Sequence, residues 1–304
     1  MFLPTGVFTA TLTPLHADLS VNMDALIRHC SWLLNNGSDG LAILGTTGEA
    51  NSFSLTERLQ MMEGIAQSDL PLHRIMVGTG CCALPDTIAL TTRAVRLGYG
   101  GVLLLPPFYY KSLTDPGMLA YFDQVIGAVN DDRLRIYLYH IPQMTGVSFS
   151  VALVKKLVQR YPGIVVGMKD SSGDFENMKQ MCEVPGFQLF AGTEKFLLDV
   201  LKIGGVGCIS ATANATSPLA GKVFASWKAG QAAERLQEDL IAARQAFEGF
   251  VFVSALKSYF AHAKENQNWL HVRPPNSVLT SDQLTDLLRR IDQLPVALAL
   301  HPDI

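Results

Sequence analysis

No apolar run in this chain approaches the roughly 20 residues that a helix needs to cross a bilayer. The opening stretch MFLPTGVFTATLTPL has no basic start and is broken by Pro4, Gly6 and Pro14, so it does not read as a secretory signal. Cysteine is scarce and irregular: Cys30, Cys81, Cys82, Cys182 and Cys208 form an odd set with no C-x-x-C pair and no Cys/His cluster. Cys81 and Cys82 are adjacent, a poor geometry for an ordinary disulfide. Reduced thiols in a cytoplasmic protein are therefore expected. Charge is also sparse, at 17% of residues with a net charge of −3. That balance argues against nucleic acid, which requires a basic face. There is no G-x-x-x-x-G-K-[ST] loop, no G-x-G-x-x-G after the first expected strand, and no pair of histidines or carboxylates at metal-ligand spacing. Neither a metal nor a cofactor is expected.

What remains is 304 residues, 48% of them hydrophobic, enough for a large core. Short β-rich runs alternate with helical periodicity. Strands are expected at 7–12, 41–44, 74–77, 101–105, 134–139, 164–170, 188–191 and 206–210. Helices between them are expected at 22–36, 54–67, 85–98, 116–129, 150–160, 177–183, 194–203 and 218–228. Ser54-Leu55-Thr56-Glu57 reads as a capping box. Eight strict strand–helix alternations predict parallel strands closed into a (β/α)8 TIM barrel over residues 1–230. An open doubly wound sheet is the alternative, but the first strand ends in Thr13-Pro14 rather than in a glycine-rich nucleotide turn. Three further helical segments, 232–247, 250–263 and 281–294, make residues 231–304 a C-terminal helical extension.

Active sites of such barrels lie at the C-terminal ends of the strands. The sequence places Thr11, Thr46, Thr47, Glu49, Thr79, Tyr109, Tyr139, Lys169, Glu194, Ser210 and Thr212 there. Lys169 ends the apolar run 164–168, whereas Lys155, Lys156, Lys179, Lys228 and Lys264 fall in polar, helix-like segments. An amine held at an apolar mouth loses charge more readily than a solvated one, and a neutral amine attacks ketones. The alternative is a surface lysine ion-paired to Asp170. The turn Gly45-Thr46-Thr47-Gly48-Glu49 offers hydroxyls and backbone N–H groups to a carboxylate, or is an ordinary strand-end turn with Glu49 solvated. Tyr139 is either a proton-transfer phenol or a core tyrosine. One amine, several phenols and many hydroxyls suit carbonyl chemistry by Schiff base.

Four motifs in order carry a resemblance: Gly45-Thr46-Thr47-Gly48-Glu49, Tyr139-x-x-Pro142 with Thr145-Gly146, Gly167-x-Lys169-Asp170-Ser171-Ser172-Gly173-Asp174, and Gly207-Cys208-Ile209-Ser210. Together they resemble the dihydrodipicolinate synthase / N-acetylneuraminate lyase family of pyruvate-dependent class I aldolases. The resemblance implies a Schiff base on Lys169 with pyruvate or a 2-keto acid. It implies a carboxylate grip by Thr46, Thr47 and the Gly48 turn, and proton transfer by Tyr139 with Thr46. Tyr109 would be lent to a neighbouring subunit's site, Ile209 would line the pyruvate pocket, and the assembly would be a homotetramer built as a dimer of dimers.

Departures narrow the expectation. The synthases carry an arginine two positions after the Tyr-x-x-Pro proline, where this chain has Met144. A thioether cannot replace a bidentate anion clamp, which points away from lysine biosynthesis. Gly48-Glu49-Ala50 and Ser54-Leu55-Thr56-Glu57-Arg58 look more like the sialic acid lyases. The lyases' Gly-Tyr-Asp-Glu is Gly192-Thr193-Glu194-Lys195 here, with Glu194 expected to accept hydrogen bonds from a polyol tail and Ser210 expected among the substrate-binding residues. His140 replaces an asparagine, with no role apparent from sequence. The expected function is reversible cleavage of a 2-keto acid, such as a 2-keto-3-deoxy sugar acid or hydroxy-2-oxo acid, to pyruvate and an aldehyde. The alternatives are a synthase-like condensation or a dehydratase using the same lysine, or a non-catalytic 2-keto-acid-binding paralogue.

Overall fold

The structure, a computed structural model, describes residues 4–264 and 269–299; the side chain of Lys264 and the rest of the chain, including 265–268 and 300–304 of the expected extension, lie outside the described residues. Eight parallel strands form a closed barrel in sequence order. They are β1 (Gly6–Ala10), β2 (Gly40–Ile43), β3 (Ile75–Gly78), β4 (Gly101–Leu104), β5 (Ile136–His140), β6 (Val165–Asp170), β7 (Gln188–Ala191) and β8 (Gly207–Ser210). The chain is thus the (β/α)8 barrel that its alternation predicts. Side-chain alternation divides the core in two. Phe8, Ala10, Ala42, Met76, Leu103, Tyr137, Val166, Phe190 and Ile209 fill the barrel interior. Alternate residues such as Val7, Leu41, Ile75, Val102, Ile136 and Cys208 pack outward against the helices.

Local chemistry sets the helix boundaries. Ser54 and Glu57 form the expected capping box on the helix Leu55–Ala66. Gly98 closes Leu84–Leu97 at φ 87°, a left-handed conformation that glycine adopts without steric cost. Three expectations are corrected. The helix after β8 starts at Ala213, so Pro218 lies inside it; only the bond from residue 218 to the Asn214 carbonyl is forfeited. The segment after β7 begins as a 3-10 turn, Glu194–Phe196, before the helix Leu197–Lys202. A short helix, Pro142–Thr145, follows β5 where none was expected.

The extension contains helices Glu234–Gln245, Phe252–Lys264 and Ser281–Asp292. Phe247, Val253, Leu256, Phe260, Trp269 and Leu287 share one apolar cluster with Leu12, Ala25 and Ala215 of the barrel. The extension therefore packs beside the end of β1, close to the strand-end loops. No helix among the described residues is long and apolar enough to cross a membrane.

Candidate active site

A bulge aims the lysine. Ile136 pairs with Val165 but Tyr137 pairs with Gly167, so Val166 is an extra residue in β6. A bulge shifts the side-chain alternation by one. Val165 and Met168 therefore pack outward, Val166 packs inward, and Lys169 shares the inner face with its register partner Tyr139. Gly167 makes this possible: a Cβ there would lie 2.7 Å from the Tyr137 ring and 2.5 Å from the Gln188 carbonyl oxygen.

Lys169 is 6% exposed, and its Nζ lies 4.3 Å from the centroid of the Tyr139 ring. It is not the surface lysine of the alternative reading. Asp170 is engaged elsewhere, accepting from the Ser172 N–H at 2.8 Å, Ser172 Oγ at 2.6 Å and Asn177 Nδ2 at 2.6 Å. Tyr139 Oη is 3.3 Å from Thr46 Oγ1. Burial alone would push this phenol up. The nearby Lys169 charge and hydrogen bonding to Thr46, Lys169 and Ser171 outweigh burial and hold it below its ordinary value. Strands β2, β5 and β6 thus bring Thr46, Tyr139 and Lys169 together. Lys155, Lys156, Lys179 and Lys228 are exposed, as expected.

The 45–49 turn is compact. The Glu49 N–H donates to the Thr46 carbonyl at 3.1 Å and the Ala50 N–H to the Gly45 carbonyl at 3.2 Å. Thr13 Oγ1 donates to the Gly48 carbonyl at 2.9 Å. Thr47 is buried beside it. Glu49 is not solvated: its Oε1 accepts from Lys257 Nζ at 2.5 Å and its Oε2 from the Arg273 N–H at 2.8 Å. Ile209 is buried in the barrel interior, in one cluster with Phe8 and Phe190.

Glu194 and Ser210, two of the expected substrate-binding residues, bond to other protein groups. Glu194 is fully buried. Its Oε1 accepts from Thr212 and Thr216 Oγ1, and its Oε2 from Ser210 Oγ and Arg244 Nη1. A carboxylate has about four lone-pair positions, so none remains for a substrate hydroxyl. Glu194 and Ser210 here tie the ends of β7 and β8 to the helix Glu234–Gln245, which carries Arg244.

Tyr109 is 73% exposed on the loop after β4 and packs edge-to-face on Tyr110. Among the described residues its phenol makes no hydrogen bond to Thr46 or Tyr139, so one chain brings together two of the three hydroxyls of the expected relay. Lys111 pins this loop to the one after β5, donating to the carbonyls of Phe108 and Thr145. Met144 is 64% exposed in the helix Pro142–Thr145. His140 acquires a structural account: its Nδ1 accepts from the Phe149 N–H at 3.3 Å. Burial pushes this imidazole down, against the pull of Asp170 and Asp174. Sequence reading missed Lys257, Arg244 and Arg273. The signal for Lys257 was its place on the inward stripe of its helix with Val253 and Phe260.

A buried amine over a phenol, and a hydroxyl in contact with that phenol, can form an imine and move a proton beside it. Comparison with known proteins agrees. Residues 3–294 match the model of the Dihydrodipicolinate synthetase family. An uncharacterized DapA-like lyase of Chloroflexus aurantiacus is 36% identical over 257 residues, covering 84% of this chain and 85% of that protein. The dihydrodipicolinate synthase of Agrobacterium tumefaciens superposes with a TM-score of 0.87 at 28% identity, covering 96% of this chain and 100% of the other. YagE of E. coli K12, a prophage protein of the same family solved in complex with pyruvate, gives a TM-score of 0.87 at 26% identity, covering 95% and 98%.

Proposed function

Since this chain belongs to the dihydrodipicolinate synthetase family of class I pyruvate-dependent lyases and aldolases, we propose that it cleaves a 2-keto-3-deoxy sugar acid, or a related hydroxy-2-oxo acid, reversibly to pyruvate and an aldehyde. The observation that carries this reading is the placement of Lys169 Nζ over the Tyr139 ring with Thr46 on the phenol. Lys169 Nζ attacks the C2 carbonyl and water leaves, giving a protonated imine. Tyr139 takes the proton of the C4 hydroxyl, the C3–C4 bond breaks, and its electron pair passes into the imine as an enamine. The aldehyde departs, the enamine is protonated at C3, and hydrolysis frees pyruvate and the amine. Thr46, Thr47 and the Gly48 turn hold the substrate carboxylate, Ile209 lines the pocket, and Tyr109 of a neighbouring subunit completes it within a dimer of dimers.

Met144 favours cleavage over synthase-like condensation, because it leaves no guanidinium at that position for a second carboxylate. The test is a screen of 2-keto-3-deoxy acids for pyruvate release, run beside borohydride trapping of pyruvate. Trapped mass on the peptide holding Lys169, lost together with turnover in Lys169→Ala, is the expected result. Label on another residue, or undiminished turnover in the variant, sinks the mechanism. Trapping without turnover of any 2-keto acid identifies a binding paralogue instead.

A further inference from the structure

We propose that Lys257, in the C-terminal extension, is a positioning residue for the 45–49 turn; the inference rests on the reading that this turn holds the 2-keto acid's carboxylate. The turn is flanked by two non-glycine residues in the left-handed region, Leu44 at φ 53° and Glu49 at φ 57°. Such a conformation persists only where its surroundings impose it. Thr13 grips one side through the Gly48 carbonyl. The other side is gripped from more than 200 positions away in the chain: Lys257 Nζ on Glu49 Oε1 is separated by 208 residues.

The grip is directional on both partners. Lys257 Nζ donates to Glu49 and, at 2.8 Å, to the His271 carbonyl. Glu49 Oε2 is held by the Arg273 N–H. The Arg273 guanidinium in turn donates to the Leu19 and Ser52 carbonyls and lies 4.1 Å from the Phe53 ring centroid. Both charged side chains of the pair are 0% exposed, so neither water nor salt can substitute for the contact.

Packing alone does not call for a lysine there. Lys257 occupies an inward position between Val253 and Phe260 in an otherwise apolar cluster. A hydrophobic residue of similar volume would fill it at no desolvation cost. What the ammonium supplies is a fixed anchor for Glu49, the last residue of the turn whose Thr46 touches the Tyr139 phenol. The extension thereby sets where the carboxylate grip stands relative to Lys169.

Borohydride trapping with two ketones tests this. Pyruvate carries the carboxylate; hydroxyacetone reaches the same lysine without one. Lys257→Met strands a buried Glu49 charge and can fail to fold on that account alone, so it is paired with the Lys257→Met/Glu49→Gln double variant, which buries no net charge. In the folded double variant the pyruvate concentration for half-maximal trapping should rise about tenfold or more. Maximal trapping on Lys169 and the hydroxyacetone half-saturation should stay as in the unaltered protein. An unchanged pyruvate half-saturation overturns the proposal, and so does an equal loss with both ketones, which marks a general structural defect. If the unaltered protein traps no pyruvate, the proposed function falls and this inference falls with it.

Discussion

An amine and a phenol can divide a carbon–carbon cleavage between them only if each holds the protonation state its step requires. In the proposed cleavage Tyr139 accepts a proton, so its phenolate would be the working form. Its pKa is held below the ordinary tyrosine value, chiefly against burial and by the Lys169 charge. The sign follows: kcat should rise with pH through the Tyr139 pKa, and that limb should lie below pH 10. Tyr139→Phe should lower kcat by about 10²-fold or more and abolish the limb, while pyruvate trapping on Lys169 persists. A pH–rate profile of both proteins checks this. Met144 carries a second expectation. Condensation of pyruvate with aspartate semialdehyde should be negligible in the unaltered protein, and Met144→Arg should raise it by restoring a cation for the second carboxylate; robust synthase activity without the substitution refutes the assignment. At this scale Lys169, Tyr139 and Thr46 were legible because reactive groups ended buried runs. Glu194 was misread, since spacing cannot reveal that three hydroxyls and an arginine already fill its lone pairs.

Among the elements, β6 is the one whose irregularity matters most. Were β6 regular with Val166 still facing inward, strict alternation would turn Lys169 out toward the helices. Gly167 is the hinge of that correction, and Tyr137 fills the space its missing side chain leaves. Gly167→Ala should force Tyr137 or β7 to move, at a cost of about 1–3 kcal/mol. The same displacement should swing Lys169 away from Tyr139, so pyruvate trapping should slow in protein that still unfolds cooperatively. Denaturant midpoints and trapping rates measure the two effects separately; a variant with native stability and native trapping would show that the bulge does not depend on this glycine. Nothing in Val165-Val166-Gly167-Met168 announces the bulge. It is a register choice between two strands, made by Tyr137 against Gly167 across the ladder, and pairing registers are not written in either strand alone. Some helix ends were legible for the opposite reason. Those units carry their own punctuation, such as the Ser54–Glu57 box and the left-handed Gly98, and need no partner to be read.

For the molecule as a whole, the closed barrel followed from eight repeats of one unit. The clamp between Lys257 and Glu49 did not, because 208 residues separate its halves. Tyr109 and Tyr110 form an exposed aromatic pair, with Met144 on the loop that Lys111 pins beside it. One phenol is a poor shuttle at neutral pH, and a second hydroxyl in series makes a relay. Tyr109 carries such a hydroxyl, and among the described residues it makes no hydrogen bond to Thr46 or Tyr139 of its own chain. If it serves a neighbour, Tyr109→Phe should lower kcat without dissociating the oligomer. Mixing this variant with Lys169→Ala then separates the two arrangements. In a mixed dimer, the site with an intact Lys169 receives an intact Tyr109 from its neighbour, and both defects fall in the other site. Activity should therefore reappear on subunit exchange, from two preparations each impaired alone. If Tyr109 acts within its own chain, every mixed site keeps a defect and no activity returns. Native mass spectrometry establishes that exchange has occurred, so an absence of recovery in exchanged protein would place Tyr109 in its own site or in interface packing alone.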